Sequence, residues 1–172
     1  MQQAPQDLLS DLIASLAGRY PGMDTESLEE RINIIRHKLK FFTEEQKPEV
    51  CLWRSAGGGQ HRDAYTEALV QLAGGRIWRP AADRTDGPGL LLIVYQDQLS
   101  KELETLPELL MQPQWAASPA VEHNRVYLAD GNRFLQGPGA GTADDAELLA
   151  EIIHPKQFIY GFNGDGWLQF EI

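Results

Sequence analysis

Thiols are almost absent from this chain of 172 residues: Cys51 is the sole cysteine, which excludes an intrachain disulfide framework and any structural zinc site built on several thiolates. Positive charge is scarce as well. Fifteen lysines and arginines stand against 25 aspartates and glutamates, a net charge of −10, so the chain repels nucleic-acid backbones and anionic membranes unless a local basic patch intervenes. No apolar run approaches the roughly 18 residues that suggest a membrane span, and the longest clean one, residues 90–95, is strand-sized. The first twenty residues carry Asp7 and Asp11 where a secretory signal needs a basic start and an unbroken apolar stretch, so the expected location is the cytoplasm. Internal repeats and low-complexity tracts are missing too. What is present is an ordinary globular composition, 42% hydrophobic and 23% charged, in a length that suits one domain.

Two segments are expected. Residues 1–47 read as a helical, linker-like segment. Leu8, Leu9, Leu12, Ile13 and Leu16 recur at helical spacing before Gly18, Pro21 and Gly22. Ser27 and Glu30 then fit a capping box ahead of a stripe of Leu28, Ile32, Ile35, Leu39 and Phe42. That stripe is expected to pack on the domain's own sheet, with helix self-pairing as the alternative. Residues 48–172 read as an α/β lobe. Strands are expected at 50–53, 76–79, 90–95 and 125–129, and helices at 62–73, at 100–111 behind an N-cap Ser100, and at 142–153. This alternation predicts a three-layer αβα arrangement around one mostly parallel sheet. Residues 80–88 are too few for a crossover helix, so segment 76–79 is expected as an edge strand or antiparallel to its successor. The aromatic, glycine-rich tail turns at Asn163-Gly164-Asp165-Gly166, as a terminal hairpin or a wrapping arm.

No catalytic set emerges, and the chain reads as a non-enzyme. Cys51 lies in an apolar strand, where a thiol is inert, and no serine occupies a nucleophile elbow. The pairs Asp144-Asp145 and Glu44-Glu45 are sequence neighbours, which read as helix-start or solvated charges. The run Gly137-Pro138-Gly139-Ala140-Gly141-Thr142 lacks a phosphate-loop lysine and is followed by acids, so it reads as a helix-initiating turn. None of the four histidines forms a metal-ligand spacing with another. His37 reads as solvated, His154 as a helix end-cap, and His61, after Gly57-Gly58-Gly59-Gln60, as the one candidate ligand or a polar loop residue.

One positive clue is geometric. In an open α/β sheet, ligands bind beyond the carboxyl ends of the strands, so the loops after Trp53, Tyr95 and Ala129 are expected along one edge. These loops hold Arg54, residues 57–61, Gln96, Asp130, Asn132 and Phe134. Their composition suits a broad, adaptable rim, with plain surface loops as the alternative.

The stretch Ser118-Pro119-Ala120-Val121-Glu122-His123-Asn124-Arg125-Val126-Tyr127-Leu128-Ala129-Asp130-Gly131-Asn132, followed by Ala146-Glu147-Leu148-Leu149-Ala150-Glu151-Ile152-Ile153-His154-Pro155, resembles the end of the substrate-binding proteins of metal-chelate ABC importers. The tail Gly164-Asp165-Gly166-Trp167 and the run Leu72-Ala73-Gly74-Gly75 resemble in particular the cobalamin-binding branch. The likeness spans about residues 48–172, and the helices before them look like the link between that family's two lobes. It implies a stand-alone C-terminal lobe of a receptor that holds cobalamin, haem or a ferric siderophore in a cleft, with the other wall supplied by a second copy or a separate lobe. The implied contacts are stacking by Trp53, Tyr65, Tyr95 and Phe134, polar or axial contacts from Arg54 and His61, and rim contacts from Gln96 and Asn132. Two family features are reduced here: the crossover helix shrinks to residues 80–88, and an arginine-flanked turn survives only as residues 137–141. The competing expectation is a protein–protein interaction module that has lost its ligand site.

Overall fold

The computed structural model describes residues 5–172; the first four residues of the expected helical segment lie outside them. Helices α1 (Pro5–Arg19) and α2 (Thr25–Leu39) open the chain. The start of α2 departs from expectation. Asp24 caps it, accepting the Ser27 N–H at 3.0 Å, so the helix begins before the Ser27–Glu30 pair; an aspartate with non-helical backbone outcompetes a serine already inside the first turn. The stripe Leu28, Ile32, Ile35 and Leu39 is buried as expected, each residue contributing roughly 1.5–3 kcal/mol by leaving water. Its neighbours are the helices α1, α3 and α7 rather than the sheet itself.

One turn of 3₁₀ helix (Glu44–Gln46) leads into the lobe: β1 (Glu49–Arg54), β2 (Gly59–Gln60), α3 (Ala64–Leu72), β3 (Arg76–Ile77), β4 (Leu90–Tyr95), α4 (Leu99–Leu110), α5 (Pro113–Ala116), α6 (Pro119–Glu122), β5 (Val126–Asp130), α7 (Thr142–Ile153) and β6 (Trp167–Phe170). The sheet runs β2-β1-β4-β5-β6, with β3 also on β1. Strands β1, β4 and β5 are parallel neighbours, and β2 and β6 are antiparallel additions at the two ends. The architecture is therefore an α/β lobe with one mostly parallel sheet covered by helices on both faces. One further detail differs from expectation, and one of the two alternatives for segment 76–79, an edge strand, is met. Helix α4 starts one residue early behind Gln98, whose side chain makes no capping bond. Strand β3 lies at the edge parallel to β1, with β1 standing between it and β4. Residues 78–89 make that crossover without a helix, tied down where Arg84 grips Glu49 through two hydrogen bonds of 2.9 and 3.0 Å.

Alternation along the strands separates two cores. Val50, Leu52, Leu92, Val94, Tyr127 and Ala129 face α3 and α7, over which α1 and α2 lie. Cys51, Leu91, Ile93, Val126 and Leu128 face α4, α5 and α6. The N-terminal helices thus share one buried cluster with the lobe. The tail adds strand β6 to β5 instead of forming a hairpin on itself. A buried carboxylate directs it: Glu151 of α7 accepts the N–H groups of Tyr160, Gly161, Phe162 and Asn163 and the Trp167 indole N–H.

Candidate functional site

Because β1, β4 and β5 are parallel, their carboxyl ends reach one edge, and the loops that follow are bonded to one another. The Ser55 N–H donates to the Val94 carbonyl at 3.3 Å, and the Gly131 N–H donates to the Tyr95 carbonyl at 2.7 Å. The Asn132 side-chain amide donates to the Gln96 carbonyl at 2.8 Å. Gly131 makes the closest approach. A Cβ there would stand 2.8 Å from the Tyr95 carbonyl oxygen and from a Val94 methyl, so only glycine lets the β4 and β5 loops meet.

The pleat divides the expected site residues between the two sheet faces. Trp53 and Tyr95 are half-buried on the face covered by α4 to α6. Trp53 packs edge-on against Trp115 of α5, with ring centroids 5.1 Å apart, and Trp78 leans on Trp115 at 6.1 Å. Arg54, one residue on, projects to the other face beside His61. Tyr65 and Phe134 sit on that side too, but as core residues only 8% and 5% exposed. Phe134 is closed off by Phe162 at 5.4 Å, and Tyr65 donates its hydroxyl proton to Asp145 at 2.6 Å. Rings packed on this scale have no open face for a ligand to stack on. Gln96 and Asn132 are exposed on the crest. The structure thus brings Trp53, Arg54, Tyr95, Gln96 and Asn132 to the edge and withdraws Tyr65 and Phe134.

His61 is fully committed. Its Nδ1 accepts the Arg54 Nε–H at 2.7 Å, while Nε2 lies 2.9 Å from Asp63 Oδ2 and 3.0 Å from the Thr66 hydroxyl. With the Nδ1 lone pair taken and Nε2–H directed at Asp63, no ring nitrogen is free for an axial bond to a metal. Burial pushes the His61 pKa down, the Arg54 charge adds to that, and Asp63 opposes it. Among the described residues, no group of three histidines, cysteines or acids is placed to hold a metal ion.

Arg54 also reaches across to the loop after β5, donating to the Leu135 carbonyl at 3.1 Å. The N–H of the same residue donates to Asp145 Oδ1 at 2.9 Å. Leu135 is buried with φ +59, a left-handed conformation that is uncommon for a bulky residue and is held here from both ends. Burial drives the Asp145 carboxyl up to about 6, against the pull of the Tyr65 and Leu135 hydrogen bonds. The same burial, together with Asp145, pushes Tyr65 well above the usual phenol range. Gly131, Leu135 and Asp145 were not singled out from the sequence as rim-supporting residues. For Asp145 a signal existed: positions 145, 149 and 152 fall on one helical face, which places the acid with Leu149 and Ile152 rather than with solvated Asp144.

No family model and no curated protein matches this chain. Solved structures do, and they identify the fold as that of one lobe of a TroA-like binding protein. An ABC transporter substrate-binding protein from Listeria monocytogenes EGD-e superposes with a TM-score of 0.62 at 17% identity, covering 87% of this chain and 64% of that one. A periplasmic heme-binding protein from Pseudomonas aeruginosa gives 0.58 at 20% identity, covering 87% and 61%. The TroA-like periplasmic binding protein FepB from Veillonella parvula gives 0.53 at 18%, covering 78% and 46%. This chain therefore spans between 46% and 64% of those proteins' lengths.

Proposed function

We propose that this chain is a non-catalytic binding lobe for a large planar metal chelate, and that the complete groove needs a second wall from another polypeptide or another copy. The observation that carries this reading is the shared edge. Three parallel strands deliver Trp53, Arg54, Tyr95, Gln96 and Asn132 to one crest, the place where α/β folds take ligands, and the chain folds like part of receptors that include a heme-binding protein. The contacts divide by chemistry. Trp53 and Tyr95 offer half-buried ring surface for a macrocycle, and Arg54 and the two amides offer donors for its polar periphery. Because neither His61 nitrogen is free, the metal would keep its own axial ligands or take them from the opposite wall. Haem is the first chelate to try and cobalamin the second.

The test is a visible-spectrum titration. Haem, then cobalamin, is added to the purified chain, and a saturable shift of the absorption band is the expected result. Trp53→Ala weakens binding by about tenfold, the scale of a lost aromatic contact of roughly 1–1.5 kcal/mol. An unsaturable, featureless titration with both ligands overturns the proposal.

A further inference from the structure

Strand β6 ends the sheet, and among the described residues no strand lies on its outer side. The pairing shows which of its backbone groups are free. Gly166 directs its carbonyl inward to the Asp130 N–H, whereas Trp167 directs its N–H to the Phe162 carbonyl and its carbonyl to the Gly164 N–H, both within its own turn. Alternation then turns Leu168 and Phe170 toward β5, and turns Gln169 and Glu171 outward. Ile172 faces inward again, its N–H donating to the Asn124 side chain at 3.1 Å. So the outer edge is closed at Trp167 and open at Gln169 and Glu171.

The opposite end of the sheet is protected in the usual ways. Strands β2 and β3 have two residues each, and Arg76, Arg79 and Pro80 stand beside them. Strand β6 has no lysine, arginine or proline from Trp167 to Ile172. Beside it lies an apolar groove of about 600 Å³, lined by Pro107, Leu110, Met111, Val121, Phe170 and Ile172. Met111 is 79% and Ile172 62% exposed.

We propose that this edge is a self-association surface, on which β6 pairs antiparallel with β6 of a second copy about a twofold axis at Phe170. The argument for a second copy is the register. Within Trp167 to Ile172, closure at Trp167 favours Gln169 opposite the copy's Glu171, and Glu171 opposite its Gln169, for four main-chain hydrogen bonds. That register sets Phe170 against Phe170 at the axis and Leu168 against Ile172 on either side, so three apolar positions match three apolar positions on the face that carries the groove. Such self-complementarity is what a closed twofold interface requires. The axis stands across the sheet, so the crests of the two copies point in opposite directions and each stays open. The inference therefore stands apart from the ligand proposal.

The ligand-free chain tests it by sedimentation equilibrium and by cross-linking. A dimer is expected, and it tightens as salt is added, because each copy brings Glu171 to the seam and a net charge of −10. Gln169→Pro removes one outward N–H and none from the β5 ladder, and it halves the mass. Ile172→Lys does the same if the proline variant loses its circular dichroism spectrum. Phe170→Cys forms an intermolecular disulfide, since facing positions of this kind bring Cα atoms to about 4.5 Å, within the span of the bond. Leu168→Cys, which faces Ile172, does not. A wild-type chain that stays monomeric overturns the proposal, and so does a dimer that survives both Gln169→Pro and Ile172→Lys or that cross-links through position 168 and not 170.

Discussion

The indole N–H of Trp167 donates to Glu151 at 2.8 Å, joining the last turn of α7 to the first residue of β6. The same carboxylate accepts four consecutive backbone N–H groups, from Tyr160 to Asn163. Glu151, only 3% exposed, thus holds the start of a tail whose own turn bonds gather on the Phe162 carbonyl. Glu151→Ala leaves the donors unmatched and is expected to cost about 3 kcal/mol, since bonds to charged groups contribute roughly 1.5–3 kcal/mol each and are not additive. Chemical denaturation reads the loss, and hydrogen exchange localises it to residues 160–170. An unchanged unfolding midpoint would refute the anchoring role.

Asp145 gives a signed pH dependence. Its folded pKa, about 6, lies above the ordinary 3.8, so the folded chain keeps a proton that the unfolded chain has lost. The associated stability is present below pH 3.8 and is lost as the pH rises through 6. Asp145→Asn imitates the protonated form and escapes that loss. It is expected to be more stable than wild type at pH 7.5, on the order of 2 kcal/mol, with the advantage shrinking toward pH 4. Urea titrations of both proteins at the two pH values decide the matter, and an advantage that grows on acidification would contradict the sign. His61 works in the opposite direction, because a histidine held below its ordinary pKa in the folded state loses stability as the pH falls. The comparison between variant and wild type cancels its contribution.

Arg54 links the rim to the loop after β5. Replacement by methionine keeps most of the aliphatic stem but removes the donors to the Leu135 carbonyl and to His61 Nδ1. The expected cost is about 2 kcal/mol, with faster hydrogen exchange at residues 131–137, where the left-handed Leu135 loses one of its two restraints. Equal protection in wild type and variant would mean that Asp145 holds Leu135 unaided.

Gly74 tests the packing of α7 on α3. At φ +89 it closes α3, its carbonyl accepts from His154 Nε2 at 2.9 Å, and a Cβ at this position would lie 2.7 Å from that nitrogen. Gly74→Ala combines a strained backbone with a collision and is expected to cost about 3 kcal/mol. A change below about 1 kcal/mol, the scale of the backbone effect alone, would show that the histidine moves aside freely.

Much of the lobe was legible from local patterns. The run Leu90 to Tyr95, apolar at every position, announces a strand covered on both faces, and Gly74-Gly75 announces the end of α3. Caps were read less well, because Asp24 and Ser27 both qualify for the start of α2 and side-chain geometry alone separates them. At the rim, sequence position found the loops but could not divide them. Trp53 and Arg54 are neighbours in the chain and lie on opposite faces of the sheet, and Tyr65 and Phe134 look equally suited to a ligand or a core until their neighbours are known.

By itself, the order of amino acids determined the alternation of strands and helices, the parallel core of the sheet and the edge on which its loops gather, since all three follow from short-range periodicity and from the length of chain between strands. Tertiary structure alone decided which side chains stay at that edge, that His61 spends both nitrogens on Arg54 and Asp63, and that Glu151 captures the tail. Those outcomes depend on contacts between residues far apart in the chain, and competition among them for one another's donors, acceptors and apolar surface is settled only when the layers close.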